Sequence, residues 1–294
     1  MSLGVSYHVT NSDRVGQPAT TTIRVGELTF TGASVSAYTT FIYSPELKVI
    51  FDMGSVVEEM LPIVHVCVSH GHQDHLLGLS RYVGLRRLQH MSPPTVFLPS
   101  AIVDRVERLL ECWQDIEGEG RRRAPAADLV GVNDGEEYPL RGNLLVQPFT
   151  VHHTLPSVGY TLVQRTRKLR SEYLGIAGYE LAAMKQRGIE ITNVIDRRLV
   201  TYVGDTLPDT LDMVDFAGSE VVIVESTFLE PGHFELAEAR GHLHLQHIIE
   251  RIDTFGDAHI VLTHFSRRYG RSDIESLIHS QWPENHRDRL SLLV

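Results

Sequence analysis

Three histidines and an aspartate fall within six residues, in Ser69-His70-Gly71-His72-Gln73-Asp74-His75. Imidazole nitrogens and carboxylate oxygens are the donors that a borderline cation such as zinc prefers. His70 and His72, two apart on an extended turn, can converge on one ion, while Asp74 and His75 can face a second. The preceding run, Ile63-Val64-His65-Val66-Cys67-Val68, is apolar and β-branched and predicts a buried strand. The following stretch, Leu76 to His90, spaces its apolar residues as a helix does. The cluster is therefore expected on a strand-to-helix turn at the mouth of a sheet.

Other strands run out into the same residue types. Lys48 to Phe51 leads to Asp52, which could hold a ligand imidazole or simply form a turn. Leu144 to Phe149 leads to His152 and His153. Side chains alternate along a strand, so only one of the two need face a site. Leu199 to Val203 leads to Gly204-Asp205-Thr206, where a carboxylate can offer one oxygen to each of two cations. Glu220 to Val224 leads to Glu225, which is expensive to bury unpaired and has His242 or His244 as a partner. Ala258 to Thr263 leads to His264, with Arg267, Arg268 and Arg271 close behind. In layered α/β proteins chemistry gathers at one end of the strands. His8, His65, His90, His152, His233, His247, His259, His279 and His286 lack such placement and read as structural or surface residues.

The elements that must position these groups are also legible. Thr21–Val25, Leu28–Phe30, Thr39–Tyr43 and Thr95–Leu98 predict strands. Ala101–Trp113 and Gly178–Arg187 predict helices. No repeat, low-complexity segment or linker divides the 294 residues, so one domain over 1–294 is expected. Cys67 and Cys112 both read as small core residues in a reducing compartment, without a disulfide. No stretch is long enough to span a membrane, and Met1 to Arg24 lacks an apolar signal core, so the expectation is a cytoplasmic protein with no membrane partner. A formal net charge of −10 argues against sequence-blind nucleic-acid binding over the whole surface, though it allows a local basic patch. The densest such cluster is Arg165, Arg167, Lys168 and Arg170. Arg121-Arg122-Arg123 reads as a solvated loop.

Taken together, the Asp52 strand end, the Ser69–His75 turn, His153 with Gly159-Tyr160, Gly204-Asp205-Thr206, Glu225-Ser226-Thr227-Phe228, Gly241-His242 and Leu262-Thr263-His264-Phe265-Ser266-Arg267-Arg268-Tyr269 resemble the metallo-β-lactamase superfamily. Within it they resemble the tRNase Z (ribonuclease Z) family, from about Gly32 to Tyr269. Ser92-Pro93-Pro94-Thr95, Lys168–Gly175 and Gly188–Thr192 are similar to the short form of plants and its bacterial relatives. The resemblance implies an α/β fold, a four-layer αββα sandwich with two zinc ions in its cleft; manganese or another divalent ion could replace the zinc. His70, His72 and His153 would bind one ion, Asp74, His75 and His264 the other, and Asp205 would bridge. Asp74 would also take the proton of the attacking water. His242, oriented by Glu225, would protonate the leaving group, and Arg268 would contact phosphate. The implied substrate is precursor tRNA and the implied assembly a homodimer.

Two features depart from the family pattern. Val224 stands where many members carry a histidine before the glutamate. The long glycine/proline-rich arm that grips tRNA in many bacterial members is not recognisable; the shorter region between Tyr160 and Val203 carries the basic cluster instead. Arg165, Arg167, Lys168 and Arg170 are therefore the nominated RNA contacts. The competing expectation is another phosphodiesterase or ester hydrolase of the same superfamily.

Overall fold

The computed structural model describes residues 7–10, 18–118 and 127–294. The Arg121–Arg123 loop lies outside the described residues. The first sheet takes its strands in chain order: β1 (Tyr7–Thr10), β2 (Thr20–Val25), β3 (Leu28–Val35), β4 (Thr39–Ser44), β5 (Val49–Phe51), β6 (His65–Cys67), β7 (Thr95–Pro99) and β8 (Asp128–Val132). Pairing is antiparallel from β1 to β5 and parallel from β5 to β8. The second sheet repeats the scheme with β9 (Tyr138–Pro139), β10 (Leu144–Val151), β11 (Ser157–Leu169), β12 (Thr192–Tyr202), β13 (Ser219–Glu225), β14 (His259–Thr263) and β15 (Leu290–Leu292). It is antiparallel from β9 to β12 and parallel from β12 to β15.

The helices are α1 (Gln73–Leu76), α2 (Leu79–Leu88) and α3 (Val103–Gly118), then α4 (Gly178–Gln186), α5 (Pro208–Met213), α6 (Phe234–Ala239), α7 (Leu245–Glu250) and α8 (Arg271–Gln281). Side-chain alternation sorts the apolar residues into three packed layers. Ile42, Phe51 and Cys67 meet Val146, Tyr160, Val221 and Val261 between the sheets. Their neighbours Phe41, Ile50 and Val66 point the other way, against Leu79, Tyr82, Val106 and Leu110 of α2 and α3. Val222, Val224, Ile260 and Leu262 pack on Leu211, Ile248 and Ile274 of α5, α7 and α8. Three apolar seams define four layers, αββα. Because β13 and β14 are buried on both faces, Val221–Val224 and Ile260–Leu262 are unbroken apolar runs and do not alternate with polar residues.

The structure revises several expected elements. The strand expected over Leu28–Phe30 continues to Val35, because Gly32 is a point of close approach: a Cβ there would lie 2.1 Å from the Phe41 carbonyl oxygen. The helix expected from Leu76 to His90 is two helices, parted where Gly78 N donates to Met53 O at 2.8 Å. Cys112 is exposed, not a core residue, since α3 buries Val106 and Leu110 and turns Cys112 outward. The strand expected at Leu199 begins at Thr192 and pairs with β11 as far out as Leu169. This hairpin projects beyond the sheet and carries α4, which has no buried residue. Among the described residues no helix is long and apolar enough to cross a membrane.

Two glycines separate close approach from mere flexibility. Gly32→Ala should lower unfolding free energy by about 1–3 kcal/mol, because backbone must move. Gly84→Ala, in α2 with nothing within 4 Å of an added methyl, should raise it by about 0.5–1 kcal/mol. Urea denaturation of the two variants checks both signs.

Candidate metal centre

The chemistry-bearing residues follow directly from the carboxyl ends of strands in both sheets. Asp52 follows β5 and the Ser69–His72 turn follows β6, with Asp74 and His75 in the first turn of α1. His153 follows β10, Asp205 follows β12, Glu225 ends β13 and His264 follows β14. Two of these residues adopt left-handed backbone conformations, Asp52 at φ 56° and His264 at φ 62°. Such conformations are costly for residues other than glycine and persist only where the surroundings enforce them.

The side chains converge in three overlapping donor sets: His70, His72, His153 and Asp205; Asp74, His75 and His264; and Asp205, His242 and His264. In the first, His70 Nε2 lies 3.0 Å from His72 Nδ1, His153 Nε2 lies 3.3 Å from the same atom, and Asp205 Oδ2 is 3.8 Å from His70 Nε2. In the second, Asp74 Oδ2 is 3.6 Å from His75 Nε2 and 3.5 Å from His264 Nε2, and those two nitrogens are 3.3 Å apart. Asp205 joins the sets, with Oδ2 at 3.3 Å from His75 Nε2 and Oδ1 at 3.4 Å from His264 Nε2.

The outer ring nitrogens test whether these donors suit a cation. His75 Nδ1 lies 2.7 Å from Asp52 Oδ2 and His153 Nδ1 lies 2.8 Å from Gly241 O. Both partners only accept, so both rings carry an Nδ1 hydrogen outward; Nε2 of His153 is left to face inward as a ligand, and Nε2 of His75 becomes one once its own proton leaves. His70 Nδ1 contacts Ser69 Oγ at 2.9 Å, and that hydroxyl donates to Asp52 Oδ2 at 2.8 Å. His264 Nδ1 contacts Thr227 Oγ1 at 2.9 Å, and that hydroxyl donates to Glu225. The donor set therefore fits a divalent ion that accepts nitrogen and oxygen ligands.

The geometry resolves the alternatives left open by strand patterns. His153 faces the cluster, while His152 turns outward to Asp209 at 2.6 Å. His242 is the partner of Glu225, with Nδ1 2.9 Å from Oε1. His244 instead caps α7, accepting from Gln246 N at 3.0 Å. Asp52 is more than a turn former, since its carboxylate fixes His75 directly and His70 through Ser69.

Burial, reinforced by neighbouring imidazoles, holds the His70 imidazole well below its ordinary pKa, and burial also lowers His72 and His153. The lowered pKa values favour the neutral form that a ligand requires. Burial would raise Asp205, but the adjacent His264 and His75 rings outweigh it and hold the carboxyl well below the usual range. Burial opposes a charge on His75, yet Asp205 and Asp52 together push its pKa well above normal. Without a cation, His75 thus keeps a proton where a metal would sit. For His242 burial again opposes protonation, and Glu225 overcomes it, lifting the pKa to about 9.

One neighbour of Arg268, His233, had no signal in the linear pattern. Arg268 lies with its guanidinium carbon 5.4 Å over the Phe228 ring and Nη1 3.4 Å from His233 Nε2. His233 in turn contacts Tyr269 OH at 3.2 Å. His233, expected to be structural or surface, therefore helps to place Arg268 beside Phe228 and His242. The nominated RNA contacts lie on the β11–β12 hairpin, away from the donor sets. Arg165 is clamped by Glu137 at 2.7 Å and by Asp196 at 2.7 Å, so its charge is already answered within the fold. Arg167 and Arg170 face Glu190 and Glu172 more loosely, each at 3.9 Å, and Lys168 is exposed. A groove of about 460 Å³ runs beside His153, between Ser100-Ala101 and Leu155-Pro156.

This fold, with imidazoles and carboxylates meeting between the sheets, is that of the metallo-β-lactamase superfamily. Residues 44–265 match the β-lactamase superfamily domain. Among solved structures, the chain resembles the human tRNase Z short form with a TM-score of 0.55 at 19% identity, covering 81% of this chain and 92% of that one. It resembles the metallo-β-lactamase fold protein YhfI of Bacillus subtilis with a TM-score of 0.58 at 10% identity, covering 88% and 92%. At those identities the likeness concerns the fold. The sequence goes further. It is 34% identical to tRNase Z TRZ1 of Arabidopsis thaliana over 251 residues, 84% of this chain and 88% of that relative. It is 35% identical to the nuclear ribonuclease Z of Triticum aestivum over 164 residues, 56% of this chain and 91% of the relative. The chain belongs to the tRNase Z family.

Because His75 holds a proton in the metal-free protein, loading zinc should release it, and apparent affinity should weaken as pH falls. Calorimetric titration in buffers of different ionisation enthalpy measures that proton. Asp52→Asn should reduce zinc affinity by roughly 10–100-fold, as loss of an outer ligand partner commonly does. Competition against a chromogenic chelator reads it.

Proposed function

We propose that this enzyme removes the 3′ trailer from precursor tRNA by cleaving a single phosphodiester bond, leaving a tRNA 3′-OH and a trailer with a 5′-phosphate. The relatives support the substrate, being named tRNase Z and ribonuclease Z. The observation that carries the chemistry is Asp205 lying 3.8 Å from His70 of one donor set and 3.3 and 3.4 Å from His75 and His264 of the other, with His242, whose pKa Glu225 raises to about 9, beside them.

In this reading His70, His72 and His153 hold one zinc ion and Asp74, His75 and His264 a second, with Asp205 common to both. Manganese or another divalent ion is admissible in the same donors. Bound there, such ions supply Lewis acidity and lower the pKa of solvent. The protein's own groups do the rest. Burial works against ionisation of Asp74, but the His264 contact prevails and holds its pKa below the usual value, so Asp74 is a carboxylate able to take the proton of the attacking water. Glu225 takes the Nδ1 hydrogen of His242 and leaves Nε2 to protonate the departing 3′ oxygen. Arg268 offsets charge growing on the phosphoryl oxygens. The groove beside His153 gives the RNA strand room on one side. Arg167, Lys168 and Arg170 on the projecting hairpin meet RNA phosphates further away. The reading also takes the working unit as a homodimer and the site of action as the cytoplasm.

Mapping RNA ends after incubating metal-loaded protein with a precursor tRNA tests the activity itself. One cut at the trailer junction with the stated ends is expected, and no cut would refute the reading. Asp74→Ala should abolish that cut in a protein that still folds. His242→Ala should slow it by about 10²–10⁴-fold, the usual worth of a positioned proton donor, and should harm an ester with a good leaving group much less. Equal losses on both substrates would contradict the proton-donor role. Glu225→Gln removes the charge that raises His242, so the imidazolium loses its proton at lower pH. The alkaline limb of the kcat/KM profile should move to lower pH accordingly.

A further inference from the structure

Most arginines near the strands of the second sheet are answered by carboxylates. Arg197 pairs with Glu220, Arg198 with Asp215 and Arg251 with Asp212. Arg267 differs. It is exposed, and among the described residues no carboxylate pairs with it. Its guanidinium carbon lies 4.6 Å over the ring of Tyr38. Tyr38 is itself 66% exposed, so its ring adds little to the core.

The stack is nevertheless held firmly by the backbone. Tyr38 sits in the turn between β3 and β4, where its N–H donates to Val35 O at 3.0 Å and Ala37 adopts φ 59°. Ser36 N donates to Phe265 O at 3.1 Å, and Val35 and Phe265 form a bridge. Phe265 immediately follows His264. The turn is therefore tied to the same segment that supplies a candidate ligand and both arginines. The consecutive arginines part from one another, Arg268 onto Phe228 beside His242 and Arg267 onto Tyr38.

We propose that the Tyr38–Arg267 stack is a subsite for a nucleobase flanking the cleaved phosphate. The proposal rests on the reading of the centre as an RNA-cleaving site. An exposed ring with a guanidinium on it offers a flat surface to an unpaired base, and such stacking tolerates any base because every base has a π-face. The guanidinium adds cation–π attraction and a planar set of donors for phosphate oxygens. On a chain with net charge −10, an unanswered cation beside the centre is also a local attraction for a polyanion. An unpaired 3′ end presents bases free to leave their own stack.

Steady-state kinetics of the metal-loaded full chain test this, using wild type, Tyr38→Ala, Tyr38→Phe and Arg267→Ala. The substrates are a precursor tRNA with all its bases and two versions carrying an abasic nucleotide on one or the other side of the cut. Tyr38→Ala should lower kcat/KM on the intact precursor about tenfold or more, and Tyr38→Phe should restore it. Arg267→Ala should lower it as well. One of the abasic precursors should slow wild type by a similar factor and slow Tyr38→Ala no further. A wild-type kcat/KM for Tyr38→Ala on the intact precursor would overturn the subsite. So would a Tyr38→Ala loss that persists undiminished on both abasic precursors, because a merely structural role would produce it. A wild type that hydrolyses bis(p-nitrophenyl) phosphate yet leaves the precursor uncut would overturn the RNA-processing reading, and the subsite with it. A wild type that cuts the precursor beside an unaffected Tyr38→Ala overturns the subsite alone.

Discussion

Two buried carboxylates, one from each sheet, hold the centre in its working shape. Asp52 ends the β5 side and accepts from Ser69 N, Ser69 Oγ, His75 Nδ1 and Tyr202 OH. Glu225 ends β13 and accepts from Thr206 N, Thr227 N, Thr227 Oγ1 and His242 Nδ1. A carboxylate taken out of water is tolerated only when its lone pairs are met in this way. Each one grips one imidazole directly and a second through a hydroxyl: His75 and His70 for Asp52, His242 and His264 for Glu225. Because Tyr202 belongs to the second sheet, its bond to Asp52 also ties the sheets together at the level of the site.

That constraint explains why so much irregular backbone collects in one place. The left-handed conformations at Asp52 and His264 aim side chains that an ordinary strand would point into a core. The three apolar seams supply the rigidity against which such turns can be held. The β11–β12 hairpin lies outside those seams and can be shaped for a partner without disturbing the donors, whereas the β3–β4 turn is tied through Phe265 to the segment that carries His264.

Much of this was legible in the chain, for a physical reason. Parallel strands buried on both faces give unbroken apolar runs, so the polar residue that ends each run stands out, as Asp205, Glu225 and His264 do. Other features could not be read. The choice of His153 over His152 depends on how the turn after β10 phases the alternation. The choice of His242 over His244 depends on His244 being used to cap α7. The hydroxyl relays through Ser69 and Thr227 join residues whose meeting is a product of the fold. Basic residues in sequence could not disclose that Arg165 is held between Glu137 and Asp196, carboxylates brought to it by neighbouring strands. Cys112 looked apolar in a helix whose phase was fixed by Val106 and Leu110. Val224 packs into the outer seam and leaves Glu225 with its own partners.

The central claim is that the strand ends form a cage for a pair of cations with Asp205 between them. Crystals of the zinc-loaded protein, measured on both sides of the zinc absorption edge, test it directly. The account predicts two anomalous peaks, one among His70, His72 and His153 and one among Asp74, His75 and His264, with Asp205 touching both. A single peak, or zinc bound elsewhere with these donors empty, would contradict it.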